Sequence, residues 1–235
     1  MLRNLRRLAV QLACSVMLLA GAAAQAPHLT GSINIDLPRG ILAGNVCLAN
    51  LPGQATPAFL LNHGLNIKSV RDASGGPAGY SGYYNGTLAG EGMQYTLNDP
   101  PSGPRTVCVS YTGAFPVYAN NQSTFEFKGL IALIAHTFRA SEQSKWYPVF
   151  YDTGTGRPYP AVTYSLTIHC PACTAIYVNG APPRHTPHGV FASQVPRPLF
   201  IFAGRFAFSR VGRPPTSMEA CLLPQPKPSG PPFKI

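Results

Sequence analysis

The sequence predicts an all-β fold: an antiparallel β-sandwich of saddle-like shape with a disordered, proline-rich C-terminal tail. Three observations predict it. Short stretches rich in Val, Ile, Phe, Tyr and Thr recur along the chain. Apolar and polar residues alternate within them, and 25 prolines and 23 glycines in 235 residues separate them. Alternation with period two sends successive side chains to opposite faces of a sheet, and Pro/Gly punctuation ends each run.

The first 26 residues stand apart from this pattern. Arg3, Arg6 and Arg7 precede an apolar run from Leu8 to Ala24 that closes on small residues. That arrangement is the one a secretory signal peptide uses, so residues 1–26 are expected to be a leader and the mature protein periplasmic or secreted. The run sits at the lower limit for a membrane span, which leaves membrane contact only through an uncleaved leader.

Residues 27–208 are expected to form the sandwich domain. In "GSINIDL", Ile33, Ile35 and Leu37 alternate with polar neighbours as in a half-buried strand. "GILAGNVCLANL", "FLLNHGLNIKSV", "MQYTL", "RTVCVSYTG", "KWYPVFY", "AVTYSLTIHC", "TAIYVNG" and "PLFIFAGRFAF" follow as further strands. "GQATP", "DASGGPAG", "NDPPSGP" and "DTGTGRP" are turns, in which Gly and Pro set the backbone and Asn or Asp bonds it locally. One helical turn is expected, from Thr137 to Lys145. From residue 209 the alternation stops and proline dominates, so 209–235 is expected to be a disordered tail; its composition also suits a frame-shifted or truncated reading frame.

The formal net charge is +10, with three of the cations in the leader. The remaining Lys and Arg are scattered singly between prolines and glycines, with no basic run and no basic–aromatic stripe, which argues against nucleic acid as a partner.

Five cysteines follow the leader, and an exported chain favours their oxidation. Cys47 and Cys108 lie in similar apolar frames, "NVCLA" and "TVCVS", and suit a bridge between strands or sheets. Cys170 and Cys173 have the C-x-x-C spacing of thiol oxidoreductases, but strand-like residues flank them where such enzymes need a helix N-terminus to activate the thiol. A small ring disulfide at a hairpin turn is the expectation, with Cys221 left over. His169, His185 and His188 around this pair call zinc to mind, yet the histidine spacing is off-pattern and no metal site is expected. No H-E-x-x-H, G-x-S-x-G, phosphate loop or dinucleotide fingerprint occurs, and nothing pairs the eight carboxylates, so no catalytic residue is assigned.

The order of elements from Asn120 to Phe208 resembles the N-terminal β-sandwich domain of the M1 zinc aminopeptidase family. The residues that carry the likeness are Tyr147-Pro148-Val149-Phe150-Tyr151-Asp152, then "AVTYSLTI", then "AIYVNG" ending at Gly180. Family members have Phe-Pro-Cys-x-Asp-Glu-Pro at the first element and a Thr-Gln-Phe-Glu-like stretch before it. His136-Thr137-Phe138-Arg139 stands in that second place here. "INIDLPRG", "FLLNHGLNIKSVRDASG" and "RTVCVSYTGAFP" keep the same order, so the resemblance spans most of residues 30–208. It departs in two respects. Arg139 occupies the place of the glutamate that anchors a substrate amine, and a cation accepts no hydrogen bond from an ammonium group. The Glu-Pro after the aspartate is missing.

The resemblance implies a non-catalytic domain of a zinc aminopeptidase, a fragment or shortened relative that serves as scaffold or substrate-facing wall. Zinc is then expected only on a separate catalytic domain, with that domain or a peptide substrate as partner. Enzymatic activity of this chain alone is not expected. His136, Thr137, Arg139 and Glu142 are the binding residues the resemblance points to. The alternative is a stand-alone secreted module for a glycan, peptide or envelope partner, using Tyr83 and Tyr84, with Tyr80, in the glycine-rich "GYSGYYNG" stretch.

Overall fold

A computed structural model describes residues 26–51, 57–84, 92–98, 106–114, 117–118, 132–134, 137–211 and 218–222. Arg3, Arg6 and Arg7 of the expected leader and residues 223–235 lie outside them. The first strands are β1 (His28–Asp36), β2 (Ile41–Ala49), β3 (Pro57–Asn62), β4 (Asn66–Arg71), β5 (Tyr80–Tyr84) and β6 (Gly92–Leu97). There follow β7 (Val107–Ala114), β8 (Val117–Tyr118), β9 (Ala132–Ile134), β10 (Thr137–Ala140), β11 (Val149–Asp152) and β12 (Arg157–Tyr159). The last are β13 (Ala161–His169), β14 (Ala175–Val178), β15 (His188–Pro198), β16 (Ile201–Gly204), β17 (Ala207–Val211) and β18 (Met218–Leu222).

They assemble as three larger sheets: β15-β13-β1-β2-β7-β4, β12-β11-β3-β6-β5 and β14-β16-β10-β9-β8. The all-β sandwich expected from the sequence is what forms. Most neighbours are antiparallel, while β1 with β13 and β8 with β9 are parallel. Parallel partners need a long connection. Between β1 and β13 the chain builds the whole second sheet before returning.

Alternation places Leu29, Ile33 and Ile35 of β1, Leu42, Val46 and Leu48 of β2, and Val162, Tyr164, Leu166 and Ile168 of β13 on one buried face. Strand β3 is buried at all six positions, as a strand flanked by neighbours on both sides and covered on both faces should be. One continuous apolar cluster draws Ile33, Phe59 and Phe138 from the three sheets together.

Two expectations are corrected. The helical turn over 137–145 is instead strand β10 followed by a single 3-10 turn at Glu142–Ser144. Pairing of Thr137–Ala140 with β16 on one side and β9 on the other satisfies both edges of that backbone, which a helix there would forfeit. The tail expected from residue 209 is in part paired: β17 and β18 form a two-stranded antiparallel sheet, with Phe208 opposite Cys221.

Candidate functional site

The segment from Thr137 to Asp152 links two sheets, and its two halves differ. In the second half, Trp146 and Tyr147 are fully buried with rings 5.2 Å apart, edge to face. The polar side-chain atoms of both rings have partners. The Trp146 Nε1–H donates to the Leu199 carbonyl at 3.4 Å, and the Trp146 carbonyl accepts from the Tyr111 hydroxyl at 2.9 Å. The Tyr147 hydroxyl donates to the Pro160 carbonyl at 3.0 Å and accepts from the Leu199 N–H at 3.2 Å. Tyr111 reaches Trp146 because its ring lies over Gly44 on the neighbouring strand, where any Cβ would overlap the ring at 2.2 Å. Burial pushes the Tyr111 and Tyr147 hydroxyls well above the ordinary tyrosine pKa.

Lys145 connects the halves. It takes a left-handed backbone conformation with φ of 52°, which turns the chain from the 3-10 turn into the core. Its carbonyl and that of Ser144 accept from the Asn62 backbone N–H at 2.9 Å and side-chain amide at 2.7 Å. The ammonium folds back on the Glu142 and Gln143 carbonyls at 3.1 and 3.3 Å. Burial pulls its pKa below the ordinary lysine value, and the Glu142 carboxylate partly offsets this.

In the first half, Thr137 and Arg139 share one face of β10, as residues two apart in a strand must. Arg139 is paired with Phe202 of β16, which in turn is paired with Tyr177 of β14. The guanidinium carbon stands 4.8 Å from the Phe202 ring centroid. Phe206 lies 4.7 Å from Phe202 and 6.2 Å from Tyr177, ring centre to ring centre. Arg139 Nε and Thr137 Oγ1 are buried without a hydrogen-bond partner, and desolvation pulls the Arg139 pKa below its ordinary value. Thr137 is fully enclosed, Arg139 and Glu142 are half-buried, and His136 lies outside the described residues. Sequence reasoning singled out Arg139 but missed Tyr177, Phe202 and Phe206. The alternation in "PLFIFAGRF" marks Phe202 as facing away from Ile201 and Ala203, but not what it meets.

The tyrosine group does not form one patch. Strand β5 is an edge strand, exposed at every position. Tyr83 and Tyr84 are neighbours in it and therefore point to opposite faces, at 48% and 70% exposure. Tyr80 shares the Tyr84 face and meets Tyr95 edge to face at 5.8 Å, while Tyr95 stacks on Phe59 at 5.3 Å.

Both expected cysteine pairs are bonded. Cys47 and Cys108 sit directly opposite one another on β2 and β7, so this bridge joins strands within one sheet. Cys170 and Cys173 close a turn and are both buried. With those thiols bound to each other they do not fit a zinc ion, and no group of three or more His, Cys, Asp or Glu side chains converges among the described residues. His169 and His188 face each other across β13 and β15 with rings 6.4 Å apart. The aspartates in turns bond locally. Asp72 accepts from Ser74 and Gly76, and Asp152 accepts from Gly154 and Thr155. These bonds hold both carboxyls below the ordinary carboxylate pKa.

No protein-family model and no curated protein sequence matches the chain. Solved structures do. Yeast LTA4 hydrolase aligns over 83% of this chain and 31% of its own, with 14% identity and a TM-score of 0.55. An M1 zinc metallopeptidase from Deinococcus radiodurans, solved with a Tyr-Ser-Ala substrate, aligns over 89% of this chain and 50% of its own, at 14% identity and a TM-score of 0.52. The fold is one found within M1 metallopeptidases. An aminopeptidase N family protein from Idiomarina loihiensis repeats the result, over 84% of this chain and 32% of its own, at 13% identity and a TM-score of 0.52. The chain thus spans half or less of the length of each of these three structures, as the resemblance in sequence leads one to expect of a partial domain. At this identity the likeness concerns the fold.

Proposed function

We propose that this chain is the exported, non-catalytic β-sandwich module of an M1-type metallopeptidase, acting as scaffold and substrate-facing wall beside a separate zinc-bearing catalytic body. The observation that carries the reading is the partial match: most of this chain superposes on less than a third of the yeast hydrolase. The sequence itself contains no H-E-x-x-H with which to hold zinc and activate water. The wall reading is supported by the segment from Thr137 to Asp152, which carries the half-buried Arg139 and Glu142 near one end while Trp146 and Tyr147 lock the other into the core.

Three measurements test this. Genomic sequencing downstream in all three frames should find an H-E-x-x-H frame within a short distance, and a long stretch without one removes the fragment version. Purified chain with added zinc should show no hydrolysis of aminoacyl-p-nitroanilides, whereas turnover above the zinc blank would refute the non-catalytic assignment. Intact mass of protein recovered from the periplasm should lack residues 1–26.

The exposure of β5 favours a second reading, a stand-alone module that grips a glycan or peptide at this edge. Because Tyr83 and Tyr84 face opposite ways, Tyr83→Ala and Tyr84→Ala should weaken such binding independently. Stability should move by less than about 0.5 kcal/mol in either variant, as for other surface changes. Unchanged retention on glycan and peptide arrays in both variants discards this edge.

A further inference from the structure

We propose that the face of the third sheet carrying Arg139, Phe202, Tyr177 and Phe206 recognises a peptide carboxylate attached next to an apolar side chain. This goes beyond the scaffold reading, since it requires only the sheet face and holds whether the chain acts alone or beside a second body.

The strand pairing puts the residues in one row. Phe202 lies between Arg139 and Tyr177, each its direct cross-strand partner, and such partners share a face. Phe206 closes against both rings. The guanidinium is stacked on Phe202 at 4.8 Å, which holds its plane without engaging its N–H groups.

Among the described residues no acceptor meets the guanidinium Nε. The Arg139 Nε is buried and unpaired, and the Thr137 hydroxyl on the same face is also without a partner. The described carboxylates whose hydrogen bonds are seen are engaged elsewhere: Asp36 with Arg39, and Asp72 and Asp152 with their own turns. Glu142 acts on Lys145. A half-buried cation that has lost water and gained no counter-charge is costly. A ligand that brings one carboxylate recovers that cost, because the guanidinium fork matches carboxylate geometry in two parallel bonds.

The arginine is the only cation in the row of cross-strand partners, so a single negative charge is the complement, where a phosphate would call for several. The half-buried Phe202 and Tyr177 rings beside it, backed by the buried Phe206, supply an apolar seat for the neighbouring side chain.

The test uses the full chain and three probes: N-acetyl-phenylalanyl-glutamate amide and its glutamine and lysine counterparts, titrated calorimetrically at low and high salt. The glutamate peptide should bind about tenfold more tightly than the glutamine peptide, and the gap should shrink with salt. Arg139→Gln should erase the gap, and Arg139→Glu should transfer the preference to the lysine peptide. Arg139→Lys, which keeps charge but not the flat stacking surface, should recover only part of it. Equal binding of all three peptides, no saturable binding up to about 1 mM, or a glutamate preference that survives Arg139→Gln would each overturn the proposal. The comparison of peptides on the unaltered protein stands even if a variant fails to fold.

Discussion

The two halves of the Thr137–Asp152 segment lie a few residues apart and follow opposite rules. Around Trp146 and Tyr147 the side-chain donors and acceptors find partners: Leu199, Pro160, Tyr111 and Asn62 converge on the four consecutive residues 144–147. Around Thr137 and Arg139 the backbone is paired, but the Thr137 hydroxyl and the Arg139 Nε find no partner among the described residues. A network in which every polar atom is satisfied specifies one packing and resists change, whereas an unsatisfied buried group stores a free energy that only another molecule can release. The difference separates the part of this segment that builds the fold from the part that faces outward chemically.

The contrast is broken most forcefully on the satisfied side. Trp146→Ala removes the largest fully buried side chain and orphans the Leu199 carbonyl, so a loss of about 4 kcal/mol is expected in denaturant melts. A loss below about 1 kcal/mol would mean the knot is not what holds the sheets.

Alkaline pH probes the same knot without mutation. Tyr111 and Tyr147 have pKa values raised by burial above the unfolded value of 10.0, so above that pH the unfolded chain sheds two protons that the folded chain keeps. Stability is therefore complete below pH 10 and should fall above it, by about 1.4 kcal/mol per pH unit for each buried tyrosine. Equilibrium unfolding at stepped pH measures the slope. Tyr147→Phe should make it shallower while leaving the Leu199 N–H without its acceptor, at a cost of about 1 to 2 kcal/mol near neutral pH.

How far this contrast was legible in the sequence depends on the range of the interactions involved. The strands around Ile33, Val46 and Leu166 follow from local alternation. The burial of Trp146 and Tyr147 follows from a large aromatic pair at the entry to a strand, and the two disulfides from the like frames of Cys47 and Cys108 and the close spacing of Cys170 and Cys173. The partners of Arg139 were not legible, because Phe202 and Tyr177 reach it only through pairing of strands far apart in the chain. The helical expectation over 137–145 failed for the same reason: the polar run "SEQSK" suits a turn, but long-range pairing with β16 claims the residues before it. The split of Tyr83 from Tyr84 is different. Strand alternation predicts it outright once the stretch is recognised as strand and not as loop.

The smallest expected effect on stability falls on the unsatisfied side, and its sign is informative. Arg139→Gln keeps much of the apolar stem of the side chain but removes a charge that desolvation disfavours and that no acid among the described residues offsets. The stacking on Phe202 is lost at the same time, worth about 0.5 to 1 kcal/mol at a partly exposed site. These terms oppose each other, so the melting midpoint should stay within about 0.5 kcal/mol of the unaltered protein, in contrast to Trp146→Ala. A large loss would show that the arginine is held for the fold, as Trp146 is. Near-neutrality in stability combined with a change in carboxylate preference would show the reverse: a cation kept at a position where the fold has no use for it is kept for what it binds.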